Sequence, residues 1–486
     1  MSAPVAAPVG AKTPLTGRAW LVTGWLCLFM IINFADKAVL GLVAQPAMAE
    51  LGLSPGQWGQ IGSAFFFLFA VSSIFVGALA SYVNTRWLIL GMVIVWSAAQ
   101  LPVFLGGGFM VLLLTRILLG AGEGPAMSIS LHATQNYFPA EKRAFPSNIV
   151  SMGASLGAVV AAPVLSIIIA GWGWRWAFGA LVVIGLVWGL FWFFIGHEGP
   201  YARRAGKGGT DAAAAGAADA PDTTDDAEAA AEGTLAGSTS GDEATAEPAM
   251  AASSTEMLAL VPARRVFGSG MWIAAGIAGF CCFWGQAILT TWVPQYIGGV
   301  MGVDTARIGL VVALPWLCGA VVLAFLGWFA QRLMSRGHSA RVAVGGTFGI
   351  SLVIGGIALL VLPHTAGIAT FVALTLIGCF TVFPMAPTAV GFAVNPRQRA
   401  FVMATLTGLA SVGGIISPMI AGTILQSAGY SAGDPSTLPA LAHGLNLTFG
   451  ITGAMLVAAG LLAVAFIRPE HARDRLQERN AIRENA

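Results

Sequence analysis

Residues 109–137 read FMVLLLTRILLGAGEGPAMSISLHATQNY. A helix needs about 20 apolar residues, rising 1.5 Å each, to cross a bilayer, and this stretch is long enough. Yet it holds Arg116 and Glu123. A charge at the centre of a membrane helix costs about 2.5–3.5 kcal/mol, so ionisable groups there default to functional candidates. The two are seven residues apart. At 100° per residue they fall on nearly one helical face, about 10 Å apart along the axis.

Eleven further apolar segments surround this one. Twelve spans are read at roughly 19–44, 57–82, 87–105, 109–137, 146–170, 174–196, 268–297, 305–333, 341–362, 367–393, 399–428 and 443–467. The 486-residue chain is 57% hydrophobic and 9% charged, against about 25% charged in soluble domains. A soluble enzyme and a disordered scaffold are excluded. A nucleic-acid binder needs a basic patch, and a net charge of +2 without such a patch excludes that too. The fold class is therefore an all-α polytopic membrane protein of twelve transmembrane helices. Residues 1–17 are rich in Pro and Ala rather than apolar, so the first span is expected to be retained. All five cysteines lie in apolar segments and read as small buried hydrophobes, with neither metal-ligand spacing nor a disulfide framework.

Between the sixth and seventh spans, residues 197–266 change character to Ala, Gly, Thr, Asp and Glu, and hold 12 of the 22 acids. Such a composition buries no core and predicts a disordered linker. The organisation is then an N-tail (1–18), a six-helix bundle (19–196), the linker (197–266), a second bundle (267–467) and a C-tail (468–486). With both termini placed in the cytoplasm, 20 of the 24 Lys and Arg fall on cytoplasmic segments and only Arg175 and Arg307 outside. This satisfies the positive-inside rule and supports the even span count.

The two remaining cations, Lys37 and Arg116, lie within spans, as do two acids, Asp36 and Glu123. Their charges sum to zero. If the first and fourth spans face each other, the four meet in one polar pocket, and they either stitch helices together or couple protons to an anion. Protonating the carboxylates would free the cations for an anionic substrate. An unpaired buried charge is costly, so proton and anion are expected to bind together. The glycines at 120, 122 and 124, followed by Pro125, are read as an open cavity wall. Possible cavity-lining residues in the second half are Trp284, Gln286, Ser411 and Thr405, and His132 is expected to point away from Glu123. The halves share a faint parallel repeat: Gly153 precedes Pro163 by ten residues, as Gly408 precedes Pro418.

The stretches NFADKAVLG (33–41), RILLGAGEGPA (116–126), YFPAEKRA (137–144), GWRWAF (173–178) and TWVPQYI (291–297) together resemble the major facilitator superfamily, and within it the anion:cation symporters. The resemblance implies two six-helix bundles around a mid-membrane site, reached by rocking. It implies Asp36 and Glu123 as proton-coupling carboxylates and Arg116 as the substrate-carboxylate arginine. Lys37 stands where that family usually has Arg, which keeps the charge but loses the bidentate fork.

Departures from the family pattern sharpen the expectation. The loop after the second span reads GALASYVNTRW (77–87), with Ser81 and Tyr82 for the usual Asp and Arg. The charge latch of that loop is therefore in doubt. Phe69, Ser73 and Ser411 replace groups that hydrogen-bond polyhydroxylated substrates. The expected activity is import of a small, sparsely hydroxylated organic anion with protons, through a monomer in a bacterial inner membrane. It needs no cofactor beyond the proton gradient. An exporter or facilitator of the same fold is the alternative. No nucleophile–base set or metal cluster suggests an enzyme.

Overall fold

The structure, a computed structural model, describes residues 17–79, 83–138, 143–200 and 260–484. All regular structure among them is helical. The first half comprises α1 (Gly17–Leu51), α2 (Pro55–Leu79), α3 (Thr85–Leu105), α4 (Phe109–Glu123), α5 (Ala126–Gln135), α6 (Ala144–Trp172) and α7 (Trp174–Ile195). A short α8 (Ala263–Phe267) precedes the second half. That half comprises α9 (Gly270–Thr291), α10 (Thr305–Ser335), α11 (Thr347–Val361), α12 (Ile368–Ile377), α13 (Met385–Gly391), α14 (Pro396–Ser427) and α15 (Leu438–Phe466). The chain ends in α16 (Pro469–Glu484), a helix within the expected C-tail.

Eleven helical stretches among the described residues are long and apolar enough to cross a membrane. The 25-residue α2, with no Asp, Glu, Lys or Arg, makes the twelfth. Two spans are broken. Pro125 has no N–H to continue the helix, so α4 and α5 cross as two pieces of one span. In the same way α12 and α13 are separated by the 3-10 turn Gly378–Thr381 and Pro384. Large apolar side chains such as Leu105, Phe75 and Ile368 stand exposed on the outer faces of their helices, as lipid contact requires.

The body of the expected linker, residues 201–259, lies outside the described residues, but its two ends do not fit the reading of 197–266 as disordered. Glu198 accepts hydrogen bonds from the Thr85 backbone N–H (2.5 Å) and hydroxyl (3.0 Å), and Tyr137 donates to the His197 carbonyl (2.5 Å). At the other end Val266 is buried and Gln398 bonds both backbone groups of Val261. The Glu198 bonds tie the start of α3 to the segment that follows α7. Arg86 joins them by donating to the Phe193 carbonyl (2.5 Å). Residues 80–82 are outside the described residues.

Helix packing here depends on glycine. Helices in lipid gain nothing from excluding apolar surface, so close backbone approach carries much of their association. A Cβ on Gly120 would collide with the Phe65 carbonyl, and one on Gly124 with that of Phe69. Gly122 faces Met92, Val95 and Trp96. The three glycines therefore hold α4 against α2 and α3 and do not line a cavity, which corrects the sequence reading. Gly153 and Gly157 seat α6 on the Cys27 and Ile31 carbonyls of α1. In the second half it is Gly413, not Gly408, that seats α14 on the Phe280 carbonyl of α9. The repeat survives in its prolines. Gly309 of α10 abuts Ala162 and Pro163 of α6, and Gly59 and Gly62 of α2 abut Pro418 of α14.

Those proline contacts join the two halves. So do Gly41 of α1 against Thr290 and Pro294, and Gly422 of α14 against the Pro55 carbonyl. All of them lie away from the ends that carry the termini. At the termini-bearing end, Gly24 and Gly327 meet nothing from the opposite half. The molecule is thus closed at one end by backbone-close contacts that a side chain would block. Gly41→Val is expected to leave each half folded while opening that end. A membrane-impermeant maleimide added from that side should then label a cysteine at Thr290, in a background without the native cysteines, severalfold faster. Unchanged labelling would show that the glycine contact does not hold the end shut.

Candidate functional site

The four membrane-embedded charges do converge, because α1 runs antiparallel to α4 and α3 packs behind both. Asp36, Arg116 and Glu123 are buried, and only Lys37 keeps appreciable exposure, with 16% of its side chain accessible. The pairing differs from two symmetric ion pairs. Lys37 Nζ lies 2.8 Å from Glu123 Oε2 and donates to Asn33 Oδ1 at 2.5 Å, one helical turn back. The ammonium also sits over Phe34 (4.5 Å), Phe65 (5.5 Å) and Phe69 (5.9 Å), whose ring faces attract a cation.

Asp36 and Arg116 form no ion pair: among the described residues the pairs are Lys37–Glu123 and Arg175–Glu50. Instead Asp36 Oδ1 accepts from Gln100 Nε2 of α3 (3.0 Å). Arg116 Nη1 donates to the Asp36 backbone carbonyl (3.2 Å), with its guanidinium 5.4 Å from the Phe178 ring of α7. Five buried polar atoms of this cluster are left with neither a hydrogen bond nor an ion pair: Asp36 Oδ2, Glu123 Oε1, Arg116 Nη2, Asn33 Nδ2 and Gln100 Oε1. Buried polar atoms are nearly always satisfied, so each such orphan calls for an explanation. Two free carboxylate oxygens and one free guanidinium N–H are the groups that proton and anion binding would complete.

The other sequence candidates divide. Phe69 belongs to the cluster through Lys37. The Trp284 indole donates to Thr452 Oγ1 (3.1 Å) and its carbonyl accepts from Ser417 (2.9 Å), so its polar groups are used in packing α9 against α15 and α14. Ser411 is buried with its hydroxyl on the Gly408 carbonyl (2.8 Å), and Thr405 donates to Phe401 of its own helix. Gln286 is half-buried on α9. His132 is exposed, away from the cluster. Sequence reading missed Asn33, Gln100 and Phe178. Asn33, one turn before Lys37 in NFADK, was the detectable one; Gln100 and Phe178 are uncharged residues that look like ordinary helix-packing groups.

The chain belongs to the major facilitator superfamily, whose family model matches residues 26–379. It is 26% identical over 455 residues to a probable sulfoacetate transporter of Cupriavidus necator, covering 92% of this chain and 94% of that one. It is 24% identical over 451 residues to a hexuronate transporter of Bacillus subtilis, with the same two coverages. A D-galactonate transporter of Escherichia coli matches at 24% over 338 residues, 69% of this chain and 72% of the other. Among solved structures, a bacterial homologue of the human lysosomal transporter Spinster, inward-facing and unoccupied, superposes with a TM-score of 0.72 at 21% identity. It covers 96% of this chain and 99% of that one. The protein is a multi-pass membrane transporter, not an enzyme.

Removing either partner of the buried pair should destabilise more than removing both. Breaking a buried ion pair typically costs about 3–5 kcal/mol through the charge left alone. For Lys37→Met, Glu123→Gln and the double variant, thermal unfolding in detergent is expected to show the double variant less destabilised than either single one, a coupling of about 3 kcal/mol or more. Strictly additive effects would show that the pair is not a functional unit of the fold.

Proposed function

We propose that this transporter imports a small organic anion with protons, by alternating access, as a monomer in a bacterial inner membrane with both termini cytoplasmic. The observation that carries the reading is the Lys37–Glu123 pair flanked by orphaned Asp36 Oδ2, Glu123 Oε1 and Arg116 Nη2. Without substrate, Glu123 neutralises Lys37. An arriving carboxylate or sulfonate competes for the same ammonium. If Glu123 stayed ionised, two anions would share one cation in a low-dielectric site, where an unpaired charge is costly. A proton on Glu123 removes that excess. The anion then replaces the carboxylate in charge while the protonated group keeps its place. Arg116 is the second cation, its free Nη2 directed by the hydrogen bond of Nη1 to Asp36. A second proton on Asp36, whose Oδ2 is free, balances an anion reaching Arg116.

Lys37 is the more exposed of the two cations, with 16% of its side chain accessible, so it is the first contact for the anion in this state. The end closed by glycine contacts lies away from the termini, so with cytoplasmic termini the state faces inward. Relatives named for sulfoacetate and for hexuronate or galactonate suggest organic anions as a class. The aromatic faces around Lys37 favour the sparsely hydroxylated end of it. The hydroxyls of Ser73, Thr290 and Ser411 already donate within their own helices, to Phe69, Gln286 and Gly408. A sugar acid would bury hydroxyls that this lining leaves poorly matched.

In proteoliposomes, a thermal-shift screen over sulfoacetate, short carboxylates, aromatic carboxylates and hexuronates should first select the ligand. With it, Glu123→Gln and Asp36→Asn are expected to abolish accumulation driven by a pH gradient while retaining anion counterflow. Lys37→Met should weaken binding by about tenfold or more, as loss of a charge-assisted contact predicts. Gradient-driven accumulation intact in both carboxylate variants would refute proton coupling. Accumulation driven outward only would favour the exporter.

A further inference from the structure

The termini-bearing end of the second half holds a second cationic site, separate from the four charges. A cavity of about 880 Å³ opens between α8, the first turn of α9, the end of α15 and α16. Arg264, Arg265, Arg468, His471 and Arg475 line it, and no acidic residue does. The acids of α16 are directed elsewhere or lie off the lining: Glu470 accepts from the Ala340 backbone N–H (2.6 Å), and Asp474 and Glu478 are not among the lining residues. None of Arg264, Arg468 and Arg475 takes part in an ion pair among the described residues. Arg264, Arg468 and Arg475, facing one space with no carboxylate among them, repel each other unless an anion sits between them, and planar guanidinium forks match phosphate. The first turn of the 22-residue α9 adds backbone N–H groups to the same wall, at the positive end of its dipole.

We infer that this cavity binds the phosphate of an anionic phospholipid. Its apolar edge selects a lipid over a free anion. Phe466, which lines it, is the last residue of the apolar α15 and is 54% exposed, two residues before Arg468. On α9, Ile273 stands exposed two residues after Met271 of the lining, one turn into its apolar span. The arginines thus sit where two spans leave the hydrocarbon, with apolar side chains directly below for acyl chains. Basic pockets between membrane helices at this level suit anionic headgroups. Docking against α8 and α16, which flank the second half at its lower end, the lipid would brace the two segments that lead into and out of that half.

The test uses the full chain in neutral detergent, titrated with dioleoylphosphatidylglycerol, with phosphatidylcholine and inorganic phosphate as separate arms, and followed by native mass spectrometry and thermal unfolding. Phosphatidylglycerol is expected to bind saturably and raise the unfolding temperature, while phosphatidylcholine and millimolar phosphate do neither. The double variant Arg468→Gln with Arg475→Gln should bind the lipid roughly ten- to thirtyfold more weakly, as two lost arginines at a lipid surface predict. Arg468→Lys with Arg475→Lys, which keeps the charge, should lose less than the glutamine pair, and both variants should unfold like the parent in phosphatidylcholine. Equal binding of the two lipids, or undiminished binding by the glutamine pair, overturns the site. Phosphate giving the same stabilisation would make it a free-anion site, and displacement of the lipid by a peptide of the chain's own acidic residues 219–232 would make it a protein-binding one.

Discussion

The ion pair between Lys37 and Glu123 is the constraint around which the first half is organised. A single charge at this depth would be too costly to keep, and the pair is tolerable only because its geometry is complete on one side. There Asn33, Phe34, Phe65 and Phe69 supply an amide oxygen and ring faces to the ammonium. On the other side it is deliberately incomplete, with Glu123 Oε1 lacking a partner. A fully satisfied pair would be inert, whereas a half-satisfied one can exchange its counterion.

Its position follows from the glycines. Gly120 and Gly124 let α4 approach the α2 backbone closely enough that Glu123 meets Lys37 rather than lipid. The same device, used between halves at Gly41, Gly59, Gly309 and Gly422, closes one end of the molecule. Backbone-close contacts are either made or absent, with little between, which suits a machine with two states. The prolines at 163 and 418 sit at equivalent places in the two halves and meet glycines of the opposite half. A faint sequence repeat thereby becomes a symmetric pair of contacts.

Twelve spans were readable from hydropathy because the bilayer sets their length, and the boundaries of α3, of α4 and α5 taken together, and of α7 agree with the reading to within about two residues. The four charges were readable because charge in lipid is rare. What the one-dimensional pattern could not carry was partnership. It put four charges in one pocket without saying which meets which: Asp36 turns to Gln100 and Arg116 to a backbone carbonyl. Which group meets which depends on the rotation of α1 relative to α3 and α4, and an uncharged Gln leaves no mark against the background of helix-packing residues. The glycine run of α4 was misread for a related reason: small residues mark both open walls and the closest contacts, and only the neighbouring helix distinguishes them. The bases at the end of the second half were legible as a positive-inside signal, but not as one cavity, since Arg264 and Arg475 come together only through α16 folding back beside α8.

The account stands on one linkage: an anion takes the place of Glu123 at Lys37 only as the carboxylate gains a proton. The most direct measurement is the proton uptake that accompanies anion binding to the purified protein, from calorimetry in buffers of different ionisation enthalpy, with sulfoacetate as the first anion. The account predicts that binding takes up protons from solution, and that the uptake falls markedly in Glu123→Gln. Anion binding of equal strength with no proton uptake at any pH would contradict it.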